Sequence, residues 1–363
     1  MFIFEKYILK KLVAVFLLTI IFFTAILFIF NVFRIARHVA AGLQLSLVFK
    51  LFVYLIPSLL GFSIPFAALV ACLLVYGKLS AQNELLALRA SGVSLYRTAS
   101  AMAMLAAGAF LLSLLVFGVI SPAGKFAVRK LRTQLGSVNP LFLFEPGETT
   151  TISGYSFYLK KKQGNHLTDV RISHADKENV STWIGAETAT MQHRKDSGTL
   201  ALTLKGVTSS MRKRGGDELW KETAESMTIE FDLASIMARI EIEKEEDEMT
   251  FRELLARARL SAESGGDVGL YTMELNKRLV FCLACLSFAV IGAPLGMRIH
   301  RGEKTVGVSI GLALAMSFYT VVMFAERLRD NPAMHPRLVM WLPNVVLVLL
   351  GIYFFRRVRR GIG

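Results

Sequence analysis

Residues 78–97 read Lys78-Leu-Ser-Ala-Gln-Asn-Glu-Leu-Leu-Ala-Leu-Arg-Ala-Ser-Gly-Val-Ser-Leu-Tyr-Arg97 and join two long uncharged runs, Leu51 to Gly77 and Thr98 to Gly124. Since about 18 apolar residues suffice to cross a bilayer, both ends of this charged segment are tied to the membrane. At helical spacing one face carries small and apolar residues, namely Ala81, Leu85, Leu88 and Gly92. Gly92 also marks a helix end. The stretch predicts either a simple cap between two helices or a coupling helix, a rigid handle through which a soluble partner moves the membrane helices.

The composition is that of a membrane protein. The chain has 363 residues, 53% of them hydrophobic, and a mean hydropathy of +0.48, which is more apolar than a soluble domain needs. The net charge of +14 does not predict nucleic-acid binding, because no basic stripe is interleaved with aromatics. The positive charge collects at the ends of apolar runs, where it anchors helices to anionic lipid.

Six uncharged runs predict six transmembrane helices: Leu12 to Phe33, Leu51 to Gly77, Thr98 to Gly124, Leu279 to Met297, Thr305 to Ala325 and Leu338 to Phe355. Lys and Arg are more frequent in the short loops on the side of the two termini, as in Lys10, Lys11, Arg356 and Arg357. The distribution predicts that both termini are cytoplasmic and that the long segment between the third and fourth helices is periplasmic.

That long polar segment predicts an α+β membrane protein. Five stretches alternate or are rich in β-branched and aromatic residues, and turn signals separate them: Tyr155 to Leu159, Thr168 to Ile172, Thr182 to Thr190, Leu200 to Lys205 and Ser226 to Asp232. Short strands at this spacing favour an antiparallel sandwich or jelly roll. The acidic run Glu241 to Glu248 is interpreted as a solvated connector.

Four parts follow from these patterns. Residues 1–124 hold transmembrane helices 1–3, with a cytoplasmic coupling helix near 80–92. Residues 125–248 form a periplasmic, antiparallel, jelly-roll-like β domain, and residues 249–278 form an amphipathic connecting helix that returns the chain to the membrane. Residues 279–363 hold helices 4–6.

No catalytic, cofactor or metal site is predicted. Gly-Lys occurs at 77–78 and 124–125, but Leu79 and Phe126 follow in place of the Ser or Thr of a phosphate-binding loop. The six histidines show no ligand spacing, and the C-x-x-C of Cys282 and Cys285 lies in an apolar run where a thiolate would be costly. The apolar runs also contain no carboxylate for a proton-driven pump. We expect a protein that is not an enzyme and takes any energy for transport from another chain.

Four motifs in sequence order resemble the lipopolysaccharide-export permease family (LptF/LptG, also called YjgP/YjgQ). They are Glu84 to Arg97, Tyr271-Thr-Met-Glu-Leu-Asn-Lys-Arg278, Gly292-Ala-Pro-Leu-Gly296 and Trp341-Leu-Pro-Asn344. The resemblance covers essentially the whole chain, in the order three helices, β domain, three helices. It implies an inner-membrane permease of a lipopolysaccharide exporter.

The resemblance also implies partners. Two related six-helix permeases would form a heterodimer on a cytoplasmic ABC ATPase dimer, extract lipopolysaccharide from the outer leaflet of the inner membrane, and pass it through periplasmic jelly rolls to a bridge protein. The segment that matches the family's coupling helix would dock in a groove of the ATPase, with Glu84 paired to a basic residue there. The coupling residues are Glu84, Leu85, Leu88, Arg89, Gly92 and Arg97.

Two further sets of residues are predicted for lipid handling. Lipopolysaccharide carries acyl chains beneath an anionic head, so a cavity that lifts it needs apolar walls and a basic rim. Rim candidates that resemble the family's head-group contacts in position, or follow the third helix, are Arg34, Arg37, Lys125, Arg129 and Arg132; ordinary interfacial snorkelling explains them equally well. Two G-x-x-x-G pairs predict close helix packing or, by resemblance, a lateral gate to the partner permease: Gly292, Gly296, Gly307 and Gly311.

Two other functions fit the same sequence. The chain could be a membrane scaffold or sensor whose β domain binds a periplasmic protein while no lipid passes through it. It could also export a different lipid or a lipoprotein, since that function needs the same physical features.

Overall fold

The computed structural model describes residues 3–40, 45–138, 147, 149–152, 155–163, 166–175, 180–194, 199–213, 218–232, 244–264, 266, 268–298, 304–330 and 334–360. The chain divides into two compact units. The membrane unit comprises residues 1–36, 48–126 and 244–363, and the β unit comprises residues 37–47 and 127–243. Turn signals separate the predicted strands at 162–165, 196–198 and 214–217; the last two and residues 164–165 lie outside the described residues.

The helices, in chain order, are α1 (Ile3–Ala40), α2 (Leu45–Ala81), α3 (Glu84–Ala90), α4 (Leu95–Leu115), α5 (Ser121–Val138), α6 (Phe251–Glu263), α7 (Gly269–Arg298), α8 (Lys304–Arg327) and α9 (Pro336–Arg359). A π-turn, Val116–Ile120, joins α4 to α5, and 3-10 turns lie at Glu246–Glu248 and Leu328–Asp330. Six spans are long and apolar enough to cross a membrane, with α4 and α5 counted as one. The prediction of six transmembrane helices is confirmed.

Several helices extend beyond the apolar runs that predicted them. Helix α1 begins at Ile3 rather than Leu12, and α7 begins at Gly269 rather than Leu279. Hydropathy marks the part of a helix that suits lipid, whereas the backbone hydrogen bonds continue into polar sequence without interruption. The extension of α7 matters below, because it brings the charged residues of the Tyr271–Arg278 motif into the helix.

Helices α2 and α7 form the centre of the membrane unit. In their most apolar windows 78% and 72% of residues are buried, against 39% or less in the other four spans. One buried cluster joins them to α1 and α4, and a second joins them to α8 and α9. The outer helices therefore surround a central pair and present apolar side chains outward, to lipid or to another protein.

The β unit contains one antiparallel sheet. Its strands are β1 (Thr149–Ile152), β2 (Tyr155–Gln163), β3 (His166–Ala175), β4 (Val180–Arg194), β5 (Thr199–Lys213) and β6 (Glu218–Asp232). Each described strand pairs with its neighbours in sequence, so their order is β1-β2-β3-β4-β5-β6. The antiparallel β fold is confirmed. Among the described strands the connectivity is a meander, and the sequence had not indicated β1.

An irregularity crosses this sheet from strand to strand. The paired registers skip Asp169 in β3, Glu187 in β4 and Gly206 in β5. Asp169 and Gly206 have positive φ angles of 54° and 62°. At these positions one residue on each strand is left out of the pairing, and the alternation of buried and exposed side chains along the strand shifts by one residue. Buried side chains such as Leu167 and Val170 on either side of the line join one cluster, so a single bent sheet encloses its own apolar core.

Candidate functional site

The predicted coupling segment forms the short helix α3. Helix α2 ends at Ala81, Asn83 takes a left-handed conformation with φ 58°, and α3 begins at Glu84. At the other end Gly92 has φ 83°; its N–H donates to the Arg89 carbonyl and that of Val93 to the Leu88 carbonyl, each at 3.0 Å. This is the Schellman arrangement that glycine permits. The helix therefore stops where the sequence indicated.

Leu85 anchors α3 to the membrane helices. Its side chain is 8% exposed and belongs to the cluster that contains Ile8 and Leu12 of α1 and Tyr76 and Leu79 of α2. Burial of a leucine stabilises such a contact by about 1.5–3 kcal/mol. Nearby, the Ser80 hydroxyl donates to the Met297 carbonyl at 2.7 Å, which ties the same region to the end of α7. Helix α3 therefore packs in one buried cluster with α1 and α2, and the end of α2 is hydrogen-bonded to the end of α7.

Glu84 is paired within the chain. The Lys11 ammonium lies 3.3 Å from the nearer carboxylate oxygen, and the Tyr7 hydroxyl donates to the other at 3.3 Å. The side chains of Lys11 and Glu84 are 29% and 31% exposed. A pair in this setting contributes only about 0.2–1 kcal/mol, because water competes for both charges. Glu84 can exchange this partner for another cation at little cost.

The outward face of α3 is small and largely uncharged. Leu86 is 65% exposed, and Ala87, Ala90 and Gly92 are exposed as well. The sequence pattern did not single out Leu86, because it lies off the apolar face defined by Leu85. Of the other predicted coupling residues, Leu88 is half-buried and Arg89 donates to the Arg359 carbonyl at 3.5 Å. Arg97 lines a cavity of about 190 Å³, together with Ile3 and Val93.

The structure describes the side chains of two of the five predicted rim residues. The side chains of Arg34, Arg37 and Arg132 lie outside what the structure describes, although their backbones are helical. Lys125, in the membrane unit, is half-buried and lies 2.9 Å from the Asp247 carboxylate. Arg129 belongs to the β unit and is half-buried. Lys125 would have to exchange Asp247 for a phosphate in order to bind a head group.

Three of the four predicted glycines lie at close helix contacts inside the membrane unit. A Cβ on Gly292 would be 2.9 Å from the Leu69 carbonyl oxygen, and a Cβ on Gly296 would be 2.6 Å from that of Leu73. These glycines let the backbones of α7 and α2 approach each other. A Cβ on Gly311 of α8 would be 2.7 Å from the Leu73 side chain, and the surroundings of Gly307 lie outside the described part of the chain.

A buried arginine that the sequence analysis did not assign holds the opposite end of α7. Arg278 is 2% exposed. All five of its N–H groups donate: Nε to Glu274 Oε1 at 2.8 Å, Nη1 to the carbonyls of Phe117 and Met249 at 3.2 and 2.6 Å, and Nη2 to the carbonyls of Glu246 and Asp247 at 3.1 and 3.0 Å. We call Arg278 with these partners the Arg278 junction.

The rest of the Tyr271–Arg278 motif ties α7 to α8 and α9. Lys277 bridges Glu274 at 2.6 Å and Glu326 of α8 at 2.8 Å. Further hydrogen bonds reach α9, from Trp341 Nε1 to Asn276 Oδ1 at 3.0 Å and from Arg337 Nη2 to Thr272 Oγ1 at 2.6 Å. The signal in the sequence was a glutamate and two cations directly before an apolar run, where only paired charges are tolerated.

The junction corrects the interpretation of Glu241 to Glu248 as a solvated connector. Residues 244–248 are folded: Glu248 is 4% exposed, and its carboxylate accepts from the Glu245 N–H at 3.1 Å. Lys244 donates to Glu253 of α6 at 2.5 Å, and this contact lowers the pKa of Glu253 below its usual range. Repeated acidic residues indicated solvation, but their backbone carbonyls, which bind Arg278, carry no sequence signal. Residues 241–243 lie outside the described part.

Comparison with protein families gives a match over nearly the whole chain. The family described as lipopolysaccharide export system permease LptF/LptG matches residues 6–357. A search of curated proteins finds no match. With its six apolar spans and this family match, the chain is a multi-pass inner-membrane protein and a transport component. It belongs to the LptF/LptG family of lipopolysaccharide export system permeases.

Proposed function

We propose that this chain is a permease subunit of an ABC-type exporter that extracts lipopolysaccharide from the inner membrane and passes it to a periplasmic bridge protein. The proposal is carried by the family match over residues 6–357, together with the form of α3. The sequence has no phosphate-binding loop of its own, so ATP hydrolysis takes place in a separate cytoplasmic ATPase dimer. A second, related permease completes the heterodimer.

Helix α3 is the coupling element. A lever must be short, rigid and attached at both ends, and α3 has seven residues, a capped end and a buried anchor in Leu85. Its exposed face, with Leu86 among small residues, suits an apolar groove in the ATPase. Glu84 exchanges Lys11 for a basic residue of the ATPase on docking, which costs little because the existing pair is partly exposed.

This function requires both termini and α3 on the cytoplasmic side and the β unit in the periplasm. The excess of Lys and Arg in the loops on the side of the termini supports that orientation. The bent, apolar-lined sheet of the β unit suits acyl chains, which need a path shielded from water. Arg34, Arg37, Lys125, Arg129 and Arg132 contact the phosphate-bearing head, and Gly307 lies on α8 at a gate to the partner permease, while Gly311 packs α8 against α2.

Reversal of charge at Glu84 tests the coupling role. In a purified complex with the ATPase and the second permease, Glu84→Arg should uncouple ATP hydrolysis from lipopolysaccharide release, because Lys11 and the ATPase cation would then both repel position 84. The matched control is Glu263→Arg, at an exposed glutamate near the end of α6. Unchanged release per ATP hydrolysed in Glu84→Arg would remove α3 from the mechanism.

Site-specific photocrosslinking separates transport from the scaffold or sensor function. Phe30 on α1 is 70% exposed, and Phe157 is 6% exposed within the apolar core of the β unit. Photoreactive residues at these positions should trap lipopolysaccharide if it moves along the helices and through the bent sheet. Crosslinks to protein alone at both positions would favour the scaffold. A different lipid in the same crosslinks would redirect the substrate assignment.

A further inference from the structure

The Arg278 junction lies where three parts of the membrane unit meet. The first part is Glu246–Met249, which lies in the described segment that follows the β unit in the chain. The second is the π-turn between α4 and α5, which contains Phe117, and the third is α7, which contains Arg278. One guanidinium binds all three. Because every carbonyl involved is held by the same planar group, the return segment and the π-turn have fixed positions relative to each other.

The π-turn is itself a point of close contact. The Phe117 ring stacks on Phe281 of α7 with centroids 5.6 Å apart, and a Cβ on Gly61 of α2 would lie 2.8 Å from that ring. On the other side, a Cβ on Gly118 would lie 2.8 Å from the Phe251 ring of α6. The widened turn therefore touches α2 and α7 through Phe117 and the connecting helix through Gly118.

These contacts form a continuous path from α2 to the return segment. Helix α2 leads directly into α3 at one end and packs Gly61 against the π-turn along its length. Phe251 comes two residues after Met249, the last residue of the return segment, and covers both Gly118 and the Arg278 guanidinium, which lies 5.9 Å from the ring centroid. π-turns inside α-helices occur frequently at functional sites, and here the turn offers a backbone carbonyl to a charged side chain.

We infer that Arg278 is a positioning residue for the handover of lipopolysaccharide from the membrane helices to the β unit, because it locks the return segment Glu246–Met249 onto the π-turn. The inference rests on the proposed transport function. Arg278 does not contact substrate in this account. It makes Glu246–Met249 move with α4 and α7, so that a displacement of the membrane helices reaches the described segment that follows the β unit in the chain.

Arg278→Lys tests this without removing the charge. Lysine keeps an ion pair with Glu274, but it has three N–H groups on one atom and cannot span carbonyls on both sides of the guanidinium plane. The full complex with the second permease and the ATPase is used, in nanodiscs containing lipopolysaccharide. Three quantities are measured: ATP hydrolysis, lipopolysaccharide crosslinked at Phe30, and lipopolysaccharide crosslinked at Phe157.

The expected result is a fall of about fivefold or more in the ratio of the Phe157 crosslink to the Phe30 crosslink, with ATP hydrolysis and the Phe30 crosslink within about twofold of wild type. A purely structural role would lower both crosslinks together as folded protein is lost. The control is Arg337→Lys, the same exchange at an exposed arginine that donates a hydrogen bond to Thr272, and it should leave the ratio unchanged.

If Arg278→Lys does not fold, a second set of variants tests the positioning role of the Arg278 junction. Gly118→Ala alters no charge but pushes the Phe251 ring away from the π-turn, and it should lower the same ratio. Phe251→Leu in the same chain removes the ring and should restore the ratio. Gly108→Ala is the matched control, since a Cβ at Gly108 meets nothing within 4 Å.

The inference is overturned if either Arg278→Lys or Gly118→Ala folds and leaves the crosslink ratio at the wild-type value. It is also overturned if Phe251→Leu fails to rescue Gly118→Ala. Absence of any lipopolysaccharide crosslink in the wild-type complex has a different meaning, because it removes the proposed transport function and the handover with it. The wild-type measurement therefore separates the two failures.

Discussion

Helix α7 lies close to two regions, the Arg278 junction and helix α3, that are held in place by different kinds of contact. Near its start, Arg278 is 2% exposed and donates all five N–H groups to buried or half-buried partners within the chain. Near its other end, the neighbouring helix α3 is held by one buried leucine and by the Glu84–Lys11 pair, which is about a third exposed. Loss of one member of the buried network leaves several groups unpaired, whereas the exposed pair can be replaced by water.

This difference suits two different tasks. A site that must bind and release a partner in each cycle cannot depend on contacts that are expensive to break. A site that must transmit a displacement between helices cannot depend on contacts that are easily broken. The α3 end has the first property and the Arg278 junction has the second, and three substitutions test whether the distinction is real.

The largest effect is expected for Arg278→Met. The change leaves four backbone carbonyls without the guanidinium and leaves Glu274 with Lys277 as its remaining ion-pair partner. We expect a loss of about 3–5 kcal/mol in the free energy of unfolding, measured by thermal or denaturant unfolding in detergent. Arg337→Met, at an exposed site with one hydrogen bond, should cost about 1 kcal/mol or less. Equal costs would show that burial of the junction contributes nothing special.

An intermediate effect is expected for Leu85→Ala at the α3 end. Removal of a side chain that is 8% exposed should cost about 2–4 kcal/mol of stability in the α3 region, measured by hydrogen exchange of residues 84–92. Lys11→Gln should cost about 1 kcal/mol or less, since its pair with Glu84 is partly exposed. A larger cost for Lys11→Gln than for Leu85→Ala would reverse our account of how α3 is held.

The smallest effect is expected for Glu253→Gln, at the exposed edge of the junction. Lys244 and Thr250 lower the pKa of Glu253 in the folded chain. The carboxylate therefore stabilises the fold above its unfolded-state pKa of about 4.3, and this stabilisation is lost as the pH falls through the lower folded-state pKa. Glutamine keeps the capping hydrogen bond and removes only the charge, so we expect a loss of about 0.2–1 kcal/mol at neutral pH.

The pH dependence is the sharper part of this test. The difference in melting temperature between Glu253→Gln and wild type should shrink as the pH is lowered from about 4.3 through the lower folded-state pKa of Glu253, because below that pKa both side chains are uncharged. Glu263→Gln, on the same helix and exposed, should show no such dependence. A difference that persists unchanged at acid pH would assign the effect to packing rather than to charge.

Sequence alone determined the architecture of this protein. The apolar runs gave six membrane spans because the length of a hydrophobic segment is set by the thickness of the bilayer, and this needs no knowledge of neighbours. Alternating patterns located five strands, and Gly92 located the end of α3 because a positive φ angle is a local requirement. The strand β1 and the bulge line through Asp169 were missed, since four-residue strands and pairing irregularities have weak local signatures.

Only the tertiary structure decided what the charged residues do. Glu84 pairs with Lys11, 73 positions away, and Arg278 binds the Phe117 carbonyl, 161 positions away. Four of the five bonds of Arg278 go to backbone carbonyls, which every residue possesses and which no letter in the sequence distinguishes. The sequence could show that a buried cation needs partners. Which carbonyls provide them depends on where the folded chain brings its turns together.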